Sequence, residues 1–325
     1  MKKTHKKSNA KALFDKGKPF FNKYQNKKTR QAYLKNFREF VRFCTSEKKI
    51  KSVDDMKGNT ELIQQYTNML KEKGLSASTV HTYIAPVCAF CGVGMQDIEK
   101  ERRCTAEYKR GRSGNGKQKR SDNDIDNPLY SRTVEFQKRV GIRRAELARL
   151  KGRDFFYSEK LGIWCVFVEK GKGGKSQLQR ILPEDVKFVE KYFEGVKPDE
   201  KIFSVSELDN KVNYHGLRAK HAQEAYRYYF EKLNGENGEE YREELKDLLW
   251  KRFHDKKGFH ANKEAYRAFT EETTGIYKIR GKNKALALDH GLPTEYDKLA
   301  VMAVSVLHLS HWRNDVTIAS YLLAF

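Results

Sequence analysis

Apolar side chains recur every three or four positions through the first third of the chain, which is the spacing of amphipathic α-helices. Three helices are predicted there. The first begins at Thr29, which we expect to cap it, the second spans about residues 60–73, and the third begins at Ser76. Together they indicate a small all-helical domain over residues 29–103.

The second half of the chain mixes helical and strand periodicity. Helices are predicted over roughly residues 131–140 and, after Gly141, to about residue 150. An apolar strand follows at residues 163–168, and a glycine-rich turn joins it to a return strand near residues 178–182. Because the rest of the pattern is helical, the predicted fold class is mostly α with a small antiparallel β-sheet.

Two strongly basic segments flank the first predicted domain. Residues 1–28 carry ten lysines and one acid, Asp15, which is typical of a solvated tail; the alternative is a basic arm that lies along a phosphate backbone. Residues 104–126 are polar, glycine-rich and basic, and they are predicted to be a linker. A second domain is expected over residues 127–325.

The charge of the whole chain restricts its partners. Sixty-five basic residues against 43 acidic ones give a net charge of +22. Such an excess favours a polyanionic partner, because neutralised phosphates release their counterions. Basic composition alone also suits ribosomal proteins and simple DNA-binding modules. With 38% hydrophobic and 12% aromatic residues, the chain is predicted to fold rather than to form a disordered tail.

No apolar run approaches the ~18–20 residues that a membrane span requires, and no apolar segment of a signal peptide follows the first lysines. A cytoplasmic, nucleoid-associated protein without a membrane partner is therefore expected. Five cysteines fit a reducing compartment. The Cys88-Ala-Phe-Cys91 spacing has no second pair of ligands, so buried thiols are predicted there; neither a metal nor any other cofactor is expected.

Candidate chemistry is concentrated in the second domain, in a set of ordered motifs. They are Gly141-Ile-Arg143-Arg-Ala-Glu146, Gly171-Lys172-Gly173, His215-Gly-Leu-Arg218, Leu309-Ser-His311 and Tyr321. Taken singly, each has an ordinary explanation: Arg143 as a surface arginine in an ion pair, Lys172 as a solvated lysine at a hairpin tip, and Tyr321 as a packing tyrosine. Their order along the chain is more informative than any one of them.

In that order the motifs resemble those of the tyrosine recombinase (phage-type integrase) family, which cuts and rejoins DNA through a phosphotyrosine. The resemblance implies six catalytic residues: Arg143, Lys172, His215, Arg218, His311 and Tyr321. It extends over the predicted helical domain, so an N-terminal core-binding domain and a C-terminal tyrosine-recombinase catalytic domain are expected. The implied activity is site-specific DNA recombination or integration through a 3′-phosphotyrosine, independent of metal and ATP.

The implied chemistry follows from the charge that develops on a phosphate under attack. Two guanidinium groups, Arg143 and Arg218, clamp the non-bridging oxygens in a bidentate way that lysine does not reproduce. A phenol is a poor nucleophile near neutral pH, so His215 and the arginines supply a proton acceptor and a positive field. By resemblance, Lys172 protonates the leaving 5′ oxygen, and His311 hydrogen-bonds the phosphate or orients the attack.

Candidate DNA-binding residues come from the basic arm, the helical domain and the linker. In the arm and helical domain they are Lys27, Lys28, Arg30, Ser76, Ser78 and Thr79, and in the linker they are Lys109, Arg110, Arg112, Lys117, Lys119 and Arg120. The expected partner is double-stranded DNA that carries specific recombination sites. By resemblance, the protein forms a homodimer on DNA and a homotetramer at synapsis, and it belongs to a mobile genetic element.

Three features depart from the family pattern. Arg218 and His311 are 93 residues apart, where the family has a few tens, so an inserted helical segment is expected over about residues 231–296. The spacing from His311 to Tyr321 is one residue longer than is common. Four residues follow Tyr321, so assembly by exchange of a C-terminal helix is not expected.

Two alternatives are left open by the sequence. One keeps the chemistry and changes the outcome, as in type IB topoisomerase-like or resolvase activity. The other is a non-catalytic DNA-binding protein on a recombinase scaffold. Recombination between two sites, relaxation alone, and binding without cleavage distinguish the three.

Overall fold

The computed structural model describes residues 9–102, 126–169, 171, 176–208, 212–254 and 262–323. The chain divides into two compact units, Met1–Cys104 and Thr105–Phe325, which are described in turn. Both are built mainly from helices, and the second also contains a small antiparallel sheet. The predicted fold class, mostly α with a small antiparallel sheet, is confirmed in this form.

The described part of the first unit packs four α-helices around an aromatic core. They are α1 (Asn9–Gly17), α2 (Lys27–Ser46), α3 (Thr60–Glu72) and α4 (Ala77–Cys91), with 3-10 turns at Lys18–Lys23, Asp54–Met56 and Met95–Asp97. The ring of Phe37 lies at the centre of this core, 5.1 Å from the Phe21 ring and 4.5 Å from the Phe90 ring between centroids. All three side chains are buried.

Side-chain caps set where these helices begin. Asn26 accepts hydrogen bonds from the Lys28 and Thr29 N–H groups at the start of α2. Ser76 accepts one from the Thr79 N–H at the start of α4. The prediction that Thr29 caps α2 is wrong, because asparagine is at least as strong a cap and stands three residues earlier.

The predicted basic arm is folded over most of its length. Residues 9–23 form α1 and the 3-10 turn after it, and the side chains of Leu13, Phe14 and Phe21 are buried in the same core as α2. The prediction of a solvated tail or extended arm is therefore wrong for these residues. Burying three large apolar side chains contributes several kcal/mol (about 1.5–3 kcal/mol each), which outweighs the preference of the intervening lysines for water. Residues 1–8 lie outside the described residues.

The second unit alternates helices with two small sheets. Its helices are α5 (Pro128–Val140), α6 (Arg144–Leu147), α7 (Val186–Glu190), α8 (Tyr214–Leu233), α9 (Gly238–His254), α10 (Lys263–Thr273), α11 (Gly281–Asp289), α12 (Lys298–Ala303) and α13 (Asn314–Thr317). Its strands are β1 (Phe155–Ser158), β2 (Ile163–Val168), β3 (Gln177–Arg180), β4 (Ile276–Lys278) and β5 (Glu295–Asp297). Gly141 ends α5 as predicted, but the helix that follows it stops at Leu147 instead of reaching residue 150.

The three-stranded sheet has the order β1-β2-β3, with both pairs antiparallel. Cys165 on the central strand pairs with Phe156 on one side and with Arg180 on the other. β2 and β3 agree with the two predicted strands. The hydrophobic pattern does not predict β1, because its central residues, Phe156 and Tyr157, are exposed at the edge of the sheet and show no apolar–polar alternation.

The segment expected as a helical insertion is part of the main core of the second unit. Leu245, Leu249 and Phe269 belong to the same buried cluster as Leu299 and Leu307 of the C-terminal region. The segment also contains the paired strands β4 and β5, so the helical segment expected over about residues 231–296 includes a small sheet, and its helices do not form a core of their own. The apolar faces of its helices are the physical reason, because a helix stripe of this kind must be covered.

Two π-helical turns shape the C-terminal region. α12 continues into the π turn Val304–His308, and α13 continues into the π turn Ile318–Leu322. The last α-helix, α13, begins at Asn314, with Arg313 in extended conformation before it. Within the described residues, no helix has both the length and the hydropathy to cross a membrane.

Candidate active site

The end of α5 places Arg143 at one wall of the site. Gly141, the capping residue just after α5, adopts a positive φ of 66°, which turns the chain toward α6. Glu146, buried on α6, accepts hydrogen bonds from the Arg143 backbone N–H at 2.8 Å and from its Nη1 at 2.8 Å. Arg143 therefore forms an ion pair with Glu146, as expected for a surface arginine. The pair fixes both the backbone and the guanidinium of Arg143.

Arg218, near the start of α8, is the largest fully buried side chain of the described protein. Its Nη1 donates to the Gly141 carbonyl, and its Nη2 donates to the Leu309 carbonyl at 2.9 Å. Within the residues that the structure describes, no carboxylate forms an ion pair with Arg218. Burial lowers the pKa of this guanidinium and the nearby Arg143 lowers it further, while Tyr321 and Glu146 raise it. A cation held by carbonyl dipoles keeps its charge available for an anion.

Three rings meet beside this buried guanidinium. The centroid of the Tyr321 ring lies 5.6 Å from that of His215 and 5.8 Å from that of His311. The Arg218 guanidinium carbon is 5.7 Å from the Tyr321 ring centroid. His215 is exposed, His311 is half-buried, and Tyr321 is 7% exposed. Five of the six predicted catalytic residues thus come together, although they are spread over 179 positions from 143 to 321.

His311 has a defined hydrogen-bond arrangement. The Ser305 hydroxyl donates to the His311 carbonyl, so its oxygen is left to accept hydrogen bonds, and it lies 3.1 Å from His311 Nδ1. Nδ1 therefore carries the proton, and Nε2 presents a lone pair. Nε2 is buried and has no hydrogen-bond partner. Burial and the charges of Arg218 and Arg143 lower the pKa of His311 to about 4, which keeps the ring neutral near pH 7.

The helix that carries Tyr321 is held against α8. Gln223 of α8 donates hydrogen bonds to the carbonyls of Tyr321 and Leu322, each at 3.3 Å. Ile318 and Leu322 belong to the buried core of the second unit. The Tyr321 ring is itself part of this core and is buried beside the two histidines and Arg218. Tyr321 is thus brought to the site by its own chain.

Trp312 and Asn314, which follow His311, contact α9 and α10. The Trp312 ring lies 4.1 Å from the Phe253 ring of α9 between centroids. The Asn314 side-chain amide donates to the Glu272 carbonyl of α10 at 2.8 Å. These contacts hold the residues that follow His311 against α9 and α10.

A cleft of about 1040 Å³ opens on one side of these residues. Its polar lining includes five basic residues, Arg143, Arg144, Lys201, His215 and Arg218, and two acidic ones, Glu200 and Glu207. Its apolar lining includes Ile202, Phe203, Val205, Leu208 and Val212. The pKa of Arg218 is lowered mainly by burial and further by Arg143, because the two guanidiniums repel each other. A bound anion removes that repulsion, so the cleft is electrostatically suited to a phosphate.

The structure does not describe Lys172, which lies outside the described residues together with the linker candidates Lys109, Arg110, Arg112, Lys117, Lys119 and Arg120. In the first unit, Lys27 and Lys28 are exposed in the first turn of α2, and Arg30 is half-buried. The Ser76 hydroxyl is engaged as the cap of α4, where it also contacts the Thr79 hydroxyl at 3.0 Å. Ser78 is half-buried on the same turn. The DNA-binding role of these side chains stays a prediction.

Several buried polar residues near the site were not predicted from the sequence. They are Gln179, Arg180, His221, Tyr229, Ser305 and His308. One signal for them exists, because His221, Ala225 and Tyr229 follow Arg218 at helical spacing, which puts polar groups on the apolar face of α8. The predicted buried thiols are Cys88 and Cys91, both free and buried, and burial raises the pKa of Cys88 to about 11.

Comparison with known proteins adds little to this geometry. No protein-family model matches the chain, and no curated protein matches it. Among solved structures, that of XerA recombinase resembles it, with 14% sequence identity and a TM-score of 0.23, over 82% of this chain and 100% of the other. A likeness of this size carries no argument about activity.

Proposed function

We propose that this protein is a site-specific DNA recombinase, which cuts and rejoins DNA strands through a 3′-phosphotyrosine at Tyr321. The observation that carries the proposal is the grouping of Tyr321 with Arg218, His215 and His311 beside a cleft that Arg143 also lines. A packing tyrosine has no need of two arginines and two histidines around it.

The arginines would stabilise the charge that builds up on the phosphate. In the proposed reaction, the non-bridging oxygens lie between Arg143 and Arg218 in the cleft. Arg218 is already fixed by two carbonyls and Arg143 by Glu146, so neither has to be reoriented as the charge develops. Pre-set donors of this kind are typically worth about 3–4 kcal/mol each in the transition state.

The chemical step moves one proton off the phenol and one onto the leaving group. The Tyr321 oxygen forms a bond to phosphorus as the bond from phosphorus to the 5′ oxygen breaks. The His311 Nε2 lone pair is a suitable acceptor for the phenolic proton, with His215 as the second candidate. By resemblance, Lys172 gives a proton to the 5′ oxygen. Attack by the freed 5′ hydroxyl of another strand reverses these steps, so rejoining needs neither ATP nor a metal.

The proposed substrate is double-stranded DNA that carries the recombination sites. The basic surface of the first unit at Lys27 and Lys28, and the linker lysines and arginines, would contact its phosphates. The proposed assembly is a homodimer on one site and a homotetramer when two sites are joined. A nucleoid-associated location follows from the substrate.

The experiment is covalent trapping on nicked duplex DNA from the ends of the parent element. The nick lets the 5′ fragment diffuse away, so a phosphotyrosine adduct accumulates. We expect a denaturant-stable, protease-sensitive adduct that forms in EDTA and maps to Tyr321 by mass spectrometry. Tyr321→Phe should remove the adduct and leave DNA affinity unchanged. Tyr266→Phe, the same change at an exposed tyrosine of α10, is the matched control and should behave like the native protein.

Two results would redirect the proposal. An adduct with Tyr321→Phe would show that another group is the nucleophile. Tight DNA binding with no adduct in the native protein would favour a non-catalytic DNA-binding role. If the adduct forms, recombination of a two-site plasmid separates a recombinase from an enzyme that only relaxes supercoils.

A further inference from the structure

A continuous chain of buried hydrogen bonds lies behind the site. Arg180 Nη1 donates to the Tyr229 hydroxyl at 3.1 Å, and that hydroxyl lies 2.9 Å from His308 Nε2. His308 Nδ1 is 2.9 Å from His221 Nε2. His221 Nδ1 is 3.0 Å from the Lys138 carbonyl at the end of α5. The four side chains come from β3, α8 and the π turn after α12, and each is at most 8% exposed.

Both ends of this chain fix the direction of every bond in it. A carbonyl only accepts, so His221 Nδ1 carries a proton, and Nε2 of the neutral ring must accept from His308 Nδ1. A guanidinium only donates, so the Tyr229 oxygen accepts from Arg180 and its proton goes to His308 Nε2. The two arguments meet at His308 and agree. Both rings are therefore neutral Nδ1–H tautomers, with every ring nitrogen paired.

A protonated form of either ring breaks the chain. An imidazolium at His221 would set its Nε2–H against the His308 Nδ1–H across the 2.9 Å contact. An imidazolium at His308 would instead set its Nε2–H against the Tyr229 hydroxyl proton. The charged groups that face the pair are Arg218 of α8 and Arg180 of β3, and both are cations. In the part of the molecule that the structure describes, no carboxylate is recorded as favouring the protonated rings. Burial lowers the pKa of His221 to about 4, and the nearby Arg218 contributes in the same direction.

The chain of hydrogen bonds contacts or adjoins both residues whose carbonyls hold Arg218. The His221 ring packs so closely on Gly141 that a Cβ at position 141 would collide with it, and the Gly141 carbonyl accepts from Arg218. The other carbonyl belongs to Leu309, the residue after His308. Gln179 ties the same two segments together, since its Nε2 donates to the Val140 carbonyl at 2.6 Å and also to the His308 carbonyl.

We propose that the neutral His221–His308 pair, held in one direction by Tyr229 and Arg180, positions the two carbonyls that hold Arg218 at the reacting phosphate. This inference rests on the proposed function, because it assigns the pair to the geometry of that reaction. The four are positioning residues, which do not contact the DNA. A shift of about 1 Å in the guanidinium is enough to slow a reaction about 100-fold.

Tyr229→Phe tests the chain with the removal of a single oxygen. Without that hydroxyl, His308 Nε2 loses its donor and the direction of the His308–His221 bond is no longer fixed. The matched control is Tyr226→Phe on the same helix, which removes a hydroxyl that accepts from the Asp297 N–H at 3.1 Å. Each variant removes one tyrosine hydroxyl from α8, with two hydrogen bonds at Tyr229 and one at Tyr226, but only Tyr229 belongs to the hydrogen-bond chain.

Single-turnover cleavage of pre-bound nicked DNA is measured together with DNA affinity and thermal unfolding. We expect Tyr229→Phe to slow cleavage by roughly 10–100-fold, with DNA affinity unchanged. Tyr226→Phe should lose a comparable amount of stability and cleave at the native rate. Equal rates in the two variants, or a loss in Tyr229→Phe that appears only as weaker DNA binding, would overturn the positioning role.

Imidazole ¹⁵N spectra of the native protein test the chain without any activity. His221 and His308, assigned with the His221→Gln and His308→Gln variants, should both show the Nδ1–H tautomer at pH 7 and stay neutral at pH 5.5. A protonated ring or an Nε2–H tautomer would refute the arrangement. Absence of any adduct from the native protein would instead remove the proposed function and this role with it. Normal cleavage by Tyr229→Phe removes this role alone.

Discussion

The two units of this protein bury different kinds of side chain. The core of the first unit is aromatic and aliphatic, and the buried polar residues described there are Asn36 and Thr67. The core of the second unit contains two arginines and two histidines, joined to tyrosine, glutamine and backbone carbonyls. Buried cations without carboxylates cost stability. These buried cations occur in the second unit, which also contains the candidate active site, whereas the core of the first unit is suited to stability alone.

The largest effect on stability is expected in the apolar core. Phe37→Ala should lower the free energy of unfolding of the first unit by about 3–5 kcal/mol, because it leaves a cavity between Phe14, Phe21 and Phe90. All three tryptophans, Trp164, Trp250 and Trp312, belong to the second unit. Far-UV circular dichroism should therefore show earlier loss of helix, while tryptophan fluorescence should report an unchanged transition. A shift of the fluorescence transition would contradict independent cores.

For a substitution in the polar core of the second unit, the largest expected effect is on the rate of DNA cleavage. Arg218→Lys is expected to cost about 3–4 kcal/mol of transition-state stabilisation, which is a 10²–10³-fold slower cleavage, because an ammonium does not span both carbonyls and the phosphate. Single-turnover cleavage of nicked DNA measures it. Arg139→Lys is the control, since Arg139 is paired with Glu135 and Asp185 outside the cleft. Native rates in Arg218→Lys would exclude Arg218 from the phosphate site.

The stability of the second unit should fall in acid because of the histidine pair. The folded pKa of His221 is about 4, below its ordinary value of 6.5. Between these values the unfolded chain binds the extra proton, so stability is complete above pH 6.5 and declines as the pH falls toward 4. The loss for one such histidine is on the order of 3 kcal/mol. Urea unfolding followed by tryptophan fluorescence should show a falling midpoint over this range in the native protein and a weaker dependence in His221→Gln.

The smallest effect is expected where a polar atom of the first core has no partner. The Tyr66 hydroxyl is buried and forms no hydrogen bond, and burial raises the pKa of Tyr66 well above its usual range. Tyr66→Phe should therefore change the free energy of unfolding by less than about 1 kcal/mol, and in the stabilising direction. Thermal unfolding by circular dichroism checks it. A loss as large as that of Phe37→Ala would reveal a partner for this hydroxyl.

The sequence predicts those parts of the fold that depend on periodicity or on a single residue type. The strand over Ile163–Val168 is apolar on both faces and is correctly placed, and Gly141 marks the end of α5. The errors have a common cause, because they depend on what covers a side chain. Nothing local to Leu13 or Phe14 distinguishes a lysine-rich tail from a helix that packs on α2.

The site divides in the same way. Arg143, His215, Arg218, His311 and Tyr321 were identified by residue type and order, and the structure brings all five together. The histidine pair was missed, because neither His221 nor His308 belongs to a recognisable motif. Their meaning arises from three-dimensional contacts between α8 and the π turn before Leu309. Hydrogen-bond direction, unlike residue order, is visible only once both ends of a chain of partners are known.

The π turn at Ile318–Leu322 explains how an irregular spacing is tolerated. A π turn holds roughly one residue more than an α turn, and one residue rotates a side chain about 100° around a helix axis. Under the proposed function, the one residue by which the spacing from His311 to Tyr321 exceeds the common recombinase spacing is therefore taken up locally, and the phenol ring lies beside the Arg218 guanidinium. A change of one residue in chain length that would misalign a regular helix can be absorbed at this π turn. The side of the helix on which a side chain lies is therefore a better guide to the site than its distance along the sequence.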